Sequence, residues 1–301
     1  MKERWPDAEL IEMPKVISGR HYRFERLWAR RQVNDHADRG EIGLLSLVYR
    51  PLQADRSQVA VYLHGSTGGM RRDPAEPIAP QTSIVNYFVA RGFTLVVPLR
   101  RGFGGSGGTY IAECSLWSDP DCTRDRYIEL AGPALEDAIA DTACVLDHVV
   151  AGDPRTRDAK VLLVGQSRGG FLAFAVAAAH PDRIHGVVSF AGGWLRVGAS
   201  LTSEINARSR AFMADHLRDF AHRYWRDTLW IYGAGDSFYA DDTTRAWFDA
   251  YSESGGRGRY LLIGEHPQPD GHRVVSLSSL WAPAVDEYLA GGGFAVEPID
   301  G

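Results

Sequence analysis

The stretch Val161-Leu162-Leu163-Val164-Gly165-Gln166-Ser167-Arg168-Gly169-Gly170-Phe171-Leu172-Ala173-Phe174-Ala175-Val176 decides how this chain is read. Four consecutive apolar residues suit a strand covered on both faces. The apolar run Phe171 to Ala179 suits a helix, stopped by His180-Pro181. Between them Gly165-Gln166-Ser167-Arg168-Gly169 matches G-x-S-x-G, a sharp strand-to-helix turn that lifts a serine hydroxyl above the end of a sheet. Small residues two before and two after the serine avoid crowding in that turn. The helix N-terminus beneath it supplies partial positive charge where an oxyanion would form. Ser167 is therefore the candidate nucleophile.

The pattern occurs a second time, at Gly104-Gly105-Ser106-Gly107-Gly108, and the same stretch satisfies G-x-G-x-x-G at Gly102, Gly104 and Gly107. Context separates the two copies. After Gly108 comes Thr109-Tyr110-Ile111-Ala112-Glu113-Cys114, which has no helical pattern. A nucleophile turn and a dinucleotide loop both need a helix there. The glycine loop is read as structural or substrate-adjacent.

Outward from the elbow, short apolar runs recur at Val59 to Leu63, Thr94 to Leu99, Val187 to Phe190, Leu229 to Tyr232 and Tyr260 to Ile263. Helical patterns separate them: Thr82 to Ala90, Ala134 to Val150, Ser209 to Tyr224, Thr243 to Tyr251 and Ser276 to Leu289. Tyr22 to Arg31 and Ile42 to Tyr49 alternate, as antiparallel opening strands do. Strand–helix alternation predicts one α/β domain over 1–301, with a mostly parallel central sheet and helices on both faces. The interval 191–228 is long for a crossover. It reads either as a small cap over the site, segment 195–226, or as an ordinary connection with a longer loop.

In such sheets ligands bind beyond the carboxyl ends of the strands, so the post-strand loops hold the chemistry. A serine needs a base held by a third group, and in this arrangement the chain order is Ser, acid, His. Gly233-Ala234-Gly235-Asp236 follows a strand and makes Asp236 the acid, while Asp241 and Asp242 read as N-cap residues of the next helix. Two histidines compete after the last strand. His272, preceded by Gly271 and followed by the final helix, is favoured over His266. The oxyanion donors are the Arg168 N–H and one from His64-Gly65-Ser66-Thr67-Gly68-Gly69, with Ser66 preferred and Thr67 next; His64 itself reads as a structural hydrogen-bonding residue. Trp194, Phe238, Tyr239 and Trp117 are candidate substrate contacts, and Arg100, Arg101 or Arg168 would hold a substrate carboxylate if turned inward, with plain packing and surface salt bridges as the alternatives.

Net charge of −5 and pI near 6.1 give no basic stripe for nucleic acid or an anionic membrane. No apolar run reaches membrane-spanning length, and Met1-Lys2-Glu3-Arg4-Trp5-Pro6-Asp7 lacks the apolar core of an export signal, so a cytoplasmic chain acting on a small molecule is expected. Cys114, Cys122 and Cys144 form no disulfide scaffold; the first two flank a short loop and are able to pair in an oxidising compartment. No metal or organic cofactor is expected, since no ligand-spaced His/Cys cluster occurs.

The His64-Gly65 loop, Pro98 to Gly108, the Ser167 elbow, Gly235-Asp236 and Gly271-His272 together resemble the dienelactone-hydrolase-like branch of the α/β-hydrolases, with features of the S9 and S15 peptidases. The likeness covers everything after the opening strands. It implies the α/β-hydrolase fold and acyl transfer to water without a cofactor. Dienelactone hydrolases carry a cysteine nucleophile where this chain has Ser167, which shifts the expected substrate from a lactone to a carboxylic ester. A peptidase or amidase, and a non-catalytic binding protein on the same fold, are the alternatives.

Overall fold

The computed structural model of the protein describes residues 8–17, 20–35, 38–52, 58–66, 82–109, 123–198 and 201–296. Its strands are β1 Ala8–Ile17, β2 Arg20–Asn34, β3 Arg39–Pro51, β4 Gln58–Leu63, β5 Thr94–Pro98, β6 Lys160–Gln166, β7 Ile184–Phe190, β8 Thr228–Gly233 and β9 Gly258–Ile263. The helices are α1 Thr82–Ala90, α2 Arg124–Glu129, α3 Ala131–Val145, α4 Arg168–Ala179, α5 Ser203–Arg223, α6 Asp241–Glu253 and α7 Ser278–Gly291. All nine strands join one sheet in the order β1-β2-β3-β5-β4-β6-β7-β8-β9.

The runs Gln58–Leu63 and Thr94–Pro98 are buried at every position, because helices cover both faces of the parallel part of the sheet. β4 to β9 are mutually parallel, while β1, β2 and β3 pair antiparallel and join the sheet through β3 against β5. The mostly parallel sheet expected from the sequence is therefore present. The opening hairpin is longer than its alternating core suggested, running in register from Tyr22 opposite Pro51 to Asn34 opposite Arg39. β1 was not foreseen.

From β4 the chain steps to β5 on one side and then to β6 on the other, so strand order reverses between β4 and β6. The crevice beyond the carboxyl ends at such a reversal is where open α/β sheets bind ligands. Here it lies between the His64-Gly65 loop after β4 and the Ser167 turn after β6.

α1 and α7 pack together. The Tyr87 and Trp281 rings sit 4.8 Å apart, and Arg91 grips both carboxylate oxygens of Asp286 at 2.6 and 2.9 Å. α3, α4, α5 and α6 pack in series. α5 occupies much of the interval read as a cap or a crossover. Its Ile205, Met213, Leu217 and Phe220 are buried, and the helix packs on α4 and α6. Burying such side chains is worth roughly 1.5–3 kcal/mol each. That stabilisation holds α5 in the helical layer as a crossover helix, and the cap over 195–226 is not formed by it. Asp241 and Asp242 likewise differ from expectation: they stand in the first turn of α6, whose N-cap is Ala240. Their charges favour the helix dipole there without capping it. Among the described residues no helix is long and apolar enough to cross a membrane. Cys114, Cys122 and Trp117 lie outside the described residues; Cys144 is a buried free thiol.

Candidate active site

Ser167 sits at φ 55°, ψ −122°, a left-handed conformation that costs a non-glycine residue about 1–3 kcal/mol. The surroundings enforce it. The Ser167 N–H donates to Phe190 O at 2.8 Å, and its carbonyl accepts from Gly170, Phe171 and Gly193. The two flanking glycines are required by contact. A Cβ on Gly165 would lie 2.1 Å from Gly169 O, and one on Gly169 would lie 1.8 Å from Leu63 O. The motif is thus a close crossing of β4, β6 and the start of α4.

Ser106, the serine of the competing match, is spent differently. Its hydroxyl accepts from Leu45 N–H at 2.9 Å and donates to Leu99 O at 2.8 Å, fastening β3 to the end of β5. Gly102, Gly104, Gly105 and Gly108 all have positive φ, which lets the chain coil tightly around that serine. The glycine loop is a structural knot.

Asp236 and His272 arrive from the ends of β8 and β9. His272 Nδ1 and Asp236 Oδ2 are 2.9 Å apart, with the carboxylate side chain almost fully buried. The other oxygen, Oδ1, accepts the Phe238 and Tyr239 N–H groups at 2.8 and 3.1 Å. Gly271 is needed because a Cβ there would lie 2.2 Å from Gly233 O. His266 faces elsewhere. Its two ring nitrogens meet Gln268 O and Ala234 O at 3.1 and 2.9 Å, tying the β9 loop to the β8 loop. Among the described residues His272 makes no hydrogen bond to the Ser167 hydroxyl; its Nδ1 is engaged by Asp236.

The β4 loop runs directly past the serine: a Cβ on Gly65 would lie 3.2 Å from Ser167 Cβ. Ser66 follows, exposed; Thr67 is outside the described residues. Arg168 opens α4, where backbone N–H groups point out of the helix end. The side chains expected to touch substrate are differently placed. Arg100 Nη2 donates to His64 O at 2.8 Å, and the Arg100 N–H donates to His64 Nε2 at 3.3 Å, so this arginine braces the β4 loop. Arg101 is buried against Asp35, Asp38 and Asp141. Trp194 is 4% exposed, donates its indole N–H to Ala131 O at 2.9 Å and lies under the Arg168 guanidinium. It lines a cavity together with His64, Arg100 and Leu172. Tyr239 is buried, with its phenol against Gly193, whose N–H donates to Ser167 O at 3.0 Å.

Burial pushes the His64 imidazole down to about 3, with the Arg100 charge adding to the depression and a hydrogen bond to Gly65 O opposing it. His64 is therefore neutral in the fold, which suits its structural place. The unfolded chain takes up a proton near pH 6.5 that the folded chain refuses, so stability falls as pH drops below that value. We expect His64 to cost roughly 2 kcal/mol between about pH 7.5 and pH 5. Urea unfolding at both pH values measures this loss, and His64→Gln should lack that part of it. Equal pH slopes for the two proteins would contradict the assignment.

Two contributors, Asp270 and Gly193, were not read from the sequence, and a third, Phe238, was read without its contact to His272. Asp270 accepts the His272 N–H at 2.9 Å, the Ser237 N–H at 3.0 Å and the Ser237 hydroxyl at 2.7 Å, clamping the His272 loop to the Asp236 loop. Burial alone would raise its carboxyl, but these hydrogen bonds and the nearby His272 outweigh that and hold it below the ordinary value. The Asp270-Gly271 pair, a common turn signal, was the available clue. Phe238, a candidate substrate contact from the sequence, stacks on His272 at 4.4 Å between ring centroids, with the Arg196 guanidinium over its own ring at 4.6 Å. Gly193 carried no signal beyond following a strand.

Sheet order, the strained serine and the Asp236–His272 pair on neighbouring strand ends define the class of fold: the chain has the α/β-hydrolase fold that its sequence resemblance implied. Residues 79–223, just under half of the chain, match the family model described as Hydrolase_4, serine aminopeptidase S33. The matched stretch contains Ser167 and stops before Asp236 and His272. Similar solved structures include a cold-adapted esterase from an Arctic intertidal metagenomic library, 16% identical, covering 91% of this chain and 95% of that one with a TM-score of 0.56. An esterase of Pyrococcus furiosus is 12% identical over 88% and 93% of the two chains, TM-score 0.55. Acetyl xylan esterase 1 from Thermoanaerobacterium sp. JW/SL YS485 is 19% identical over 94% and 89%, TM-score 0.53. At these identities the likeness is one of fold. No curated protein matches the chain.

Proposed function

We propose that this α/β-hydrolase cleaves carboxylic esters of small molecules through an acyl-enzyme on Ser167. The observation that carries this reading is the strained Ser167 corner beside the 2.9 Å Asp236–His272 pair, all three at the carboxyl edge of one sheet. In the first half-reaction Ser167 Oγ attacks the ester carbonyl while His272 takes its proton and passes it to the departing alcohol. Asp236 holds the imidazole by Nδ1 and stabilises its protonated form. The Arg168 N–H and an N–H of the β4 loop, with Ser66 as candidate, face the oxyanion. Water then releases the acid by the same route. His272 has still to close on Ser167, as catalytic contacts commonly tighten only with substrate bound.

Amide cleavage is the second reading, favoured by the aminopeptidase description of the matching family model. A fluorophosphonate probe should label the wild-type chain at Ser167. A panel pairing p-nitrophenyl esters with aminoacyl arylamides should then give turnover on the esters. Labelling at another residue would sink the serine assignment, and turnover confined to arylamides would replace the ester reading with the amide one.

A further inference from the structure

His272 is held at three of its polar groups, each by a different residue. Its Nδ1 meets Asp236 Oδ2 at 2.9 Å. Its backbone N–H donates to Asp270 Oδ1 at 2.9 Å, and its carbonyl accepts from Gln166 Nε2 at 3.4 Å. Gln166 directly precedes Ser167, so that carbonyl is tied to the nucleophile's own turn. Among the described residues Nε2 makes no hydrogen bond, and it is the nitrogen the serine needs.

Asp270 does more than cap the short 3-10 turn Gly271–Ser276 that carries His272. The same Oδ1 accepts the Ser237 N–H at 3.0 Å, and Oδ2 accepts the Ser237 hydroxyl at 2.7 Å. Ser237 follows Asp236 directly, so one carboxylate holds both the base itself and the neighbour of the acid. The two loops also touch elsewhere. His266 Nε2 meets Ala234 O at 2.9 Å, and the Gly271 N–H donates to Gly235 O at 3.4 Å. Neither of these contacts acts on the backbone of His272. Removing the Asp270 side chain therefore leaves the loops docked while it frees the His272 N–H.

That freedom matters because Nε2 has still to close on Ser167. With the His272 N–H and carbonyl both held, closure is confined to rotation of the side chain about its two torsions. With the N–H released, the main chain shifts as well, and Asp236 fixes only one edge of the ring. A displacement of about 1 Å at a reacting group costs up to about 10²-fold in rate. We propose, on the serine-hydrolase reading above, that Asp270 is a positioning residue: its carboxylate, shared between His272 and Ser237, sets where the imidazole meets Ser167.

The test compares Asp270→Ala and Asp270→Asn in the full chain, using p-nitrophenyl acetate turnover and the rate of fluorophosphonate labelling. In Asp270→Ala, kcat should fall roughly 10- to 100-fold with KM within about twofold, and the labelling rate constant should fall in step. A merely structural defect would shrink the fraction of protein labelled, leaving the rate constant of the folded fraction unchanged. Asp270→Asn should recover kcat to within about threefold of wild type. Its one amide oxygen still accepts both N–H groups, and its NH₂ donates to Ser237 Oγ, which turns from donor to acceptor. If the wild type is labelled at Ser167 and Asp270→Ala keeps kcat and labelling rate within about twofold, the positioning role is overturned and the serine mechanism stands. Equal losses in Asp270→Ala and Asp270→Asn would also overturn it, because charge rather than placement would then carry the effect. If the wild type is not labelled at Ser167, both readings fall. Should Asp270→Ala not fold, Asp270→Glu keeps the charge and moves the oxygens by one methylene. Its kcat should fall roughly tenfold while that of Asp270→Asn does not, and a Glu variant as active as wild type would overturn the proposal.

Discussion

Ser167→Ala should lower ester turnover by at least about 10⁴-fold while the protein keeps its fold. The size follows from what the hydroxyl does. Without Oγ there is no covalent intermediate, and the remaining donors can only assist direct attack by water. Residual catalysis from an oxyanion site and substrate binding is worth about 10³–10⁴ over water, so a small rate should remain. Stability should change little. The substitution removes one hydroxyl, and a hydrogen bond it makes is worth about 0.5–1.5 kcal/mol. It keeps the Cβ that already occupies the turn, and alanine suffers no more at φ 55° than serine does. Turnover of p-nitrophenyl esters, corrected for active-site concentration, and a thermal melt provide the two measurements. Activity within about tenfold of the parent, in a folded variant, is incompatible with Ser167 as nucleophile.

The two serine motifs show where sequence is informative and where it stops. Ser167 was distinguishable from Ser106 because apolar runs on either side forecast a strand and a helix, and local pattern is what a sequence encodes most directly. The purpose of the second motif was invisible. Its glycines wrap a serine whose partners, Leu45 N–H and Leu99 O, belong to two other segments. The arginines fail for the same reason. Arg100 and Arg101 follow β5 on the active edge, which made them candidates for a substrate carboxylate. One instead braces the His64 carbonyl, and the other is enclosed by Asp35, Asp38 and Asp141 from distant parts of the chain. Trp194 is similar: a tryptophan after a strand end can line a pocket or fill one, and only tertiary packing decides. Tyr239 was legible as a residue near the site, whereas the slot its ring fills is left open by Gly193, a residue 46 positions earlier in the chain. β1 escaped notice because an edge strand gains much of its stability from ladder hydrogen bonds with β2, which leave little periodic trace.

The rival histidines are separable by the same reasoning carried to a measurement. His272→Ala should reduce kcat by about 10³- to 10⁴-fold, since it removes the only imidazole hydrogen-bonded to Asp236 among the described residues. His266→Ala should leave kcat within about tenfold and instead lower stability by roughly 1 kcal/mol, the worth of a lost tie between Gln268 O and Ala234 O. Asp236→Asn adds a sharper test. The carboxylate accepts on both sides, from Phe238 and Tyr239 N–H groups at Oδ1 and from His272 at Oδ2. An amide has one accepting oxygen. Satisfying the two backbone donors turns its NH₂ toward His272 Nδ1, which must then accept and carry its proton on Nε2. That tautomer cannot take a proton from serine. The expected loss is therefore close to that of His272→Ala, about 10³- to 10⁴-fold in kcat, although no atom that touches substrate has been removed. Combining Asp236→Asn with His272→Ala should cost scarcely more than either alone, because both break one unit. Multiplying losses in the double variant, or a His266→Ala defect as deep as that of His272→Ala, would assign the base to another residue.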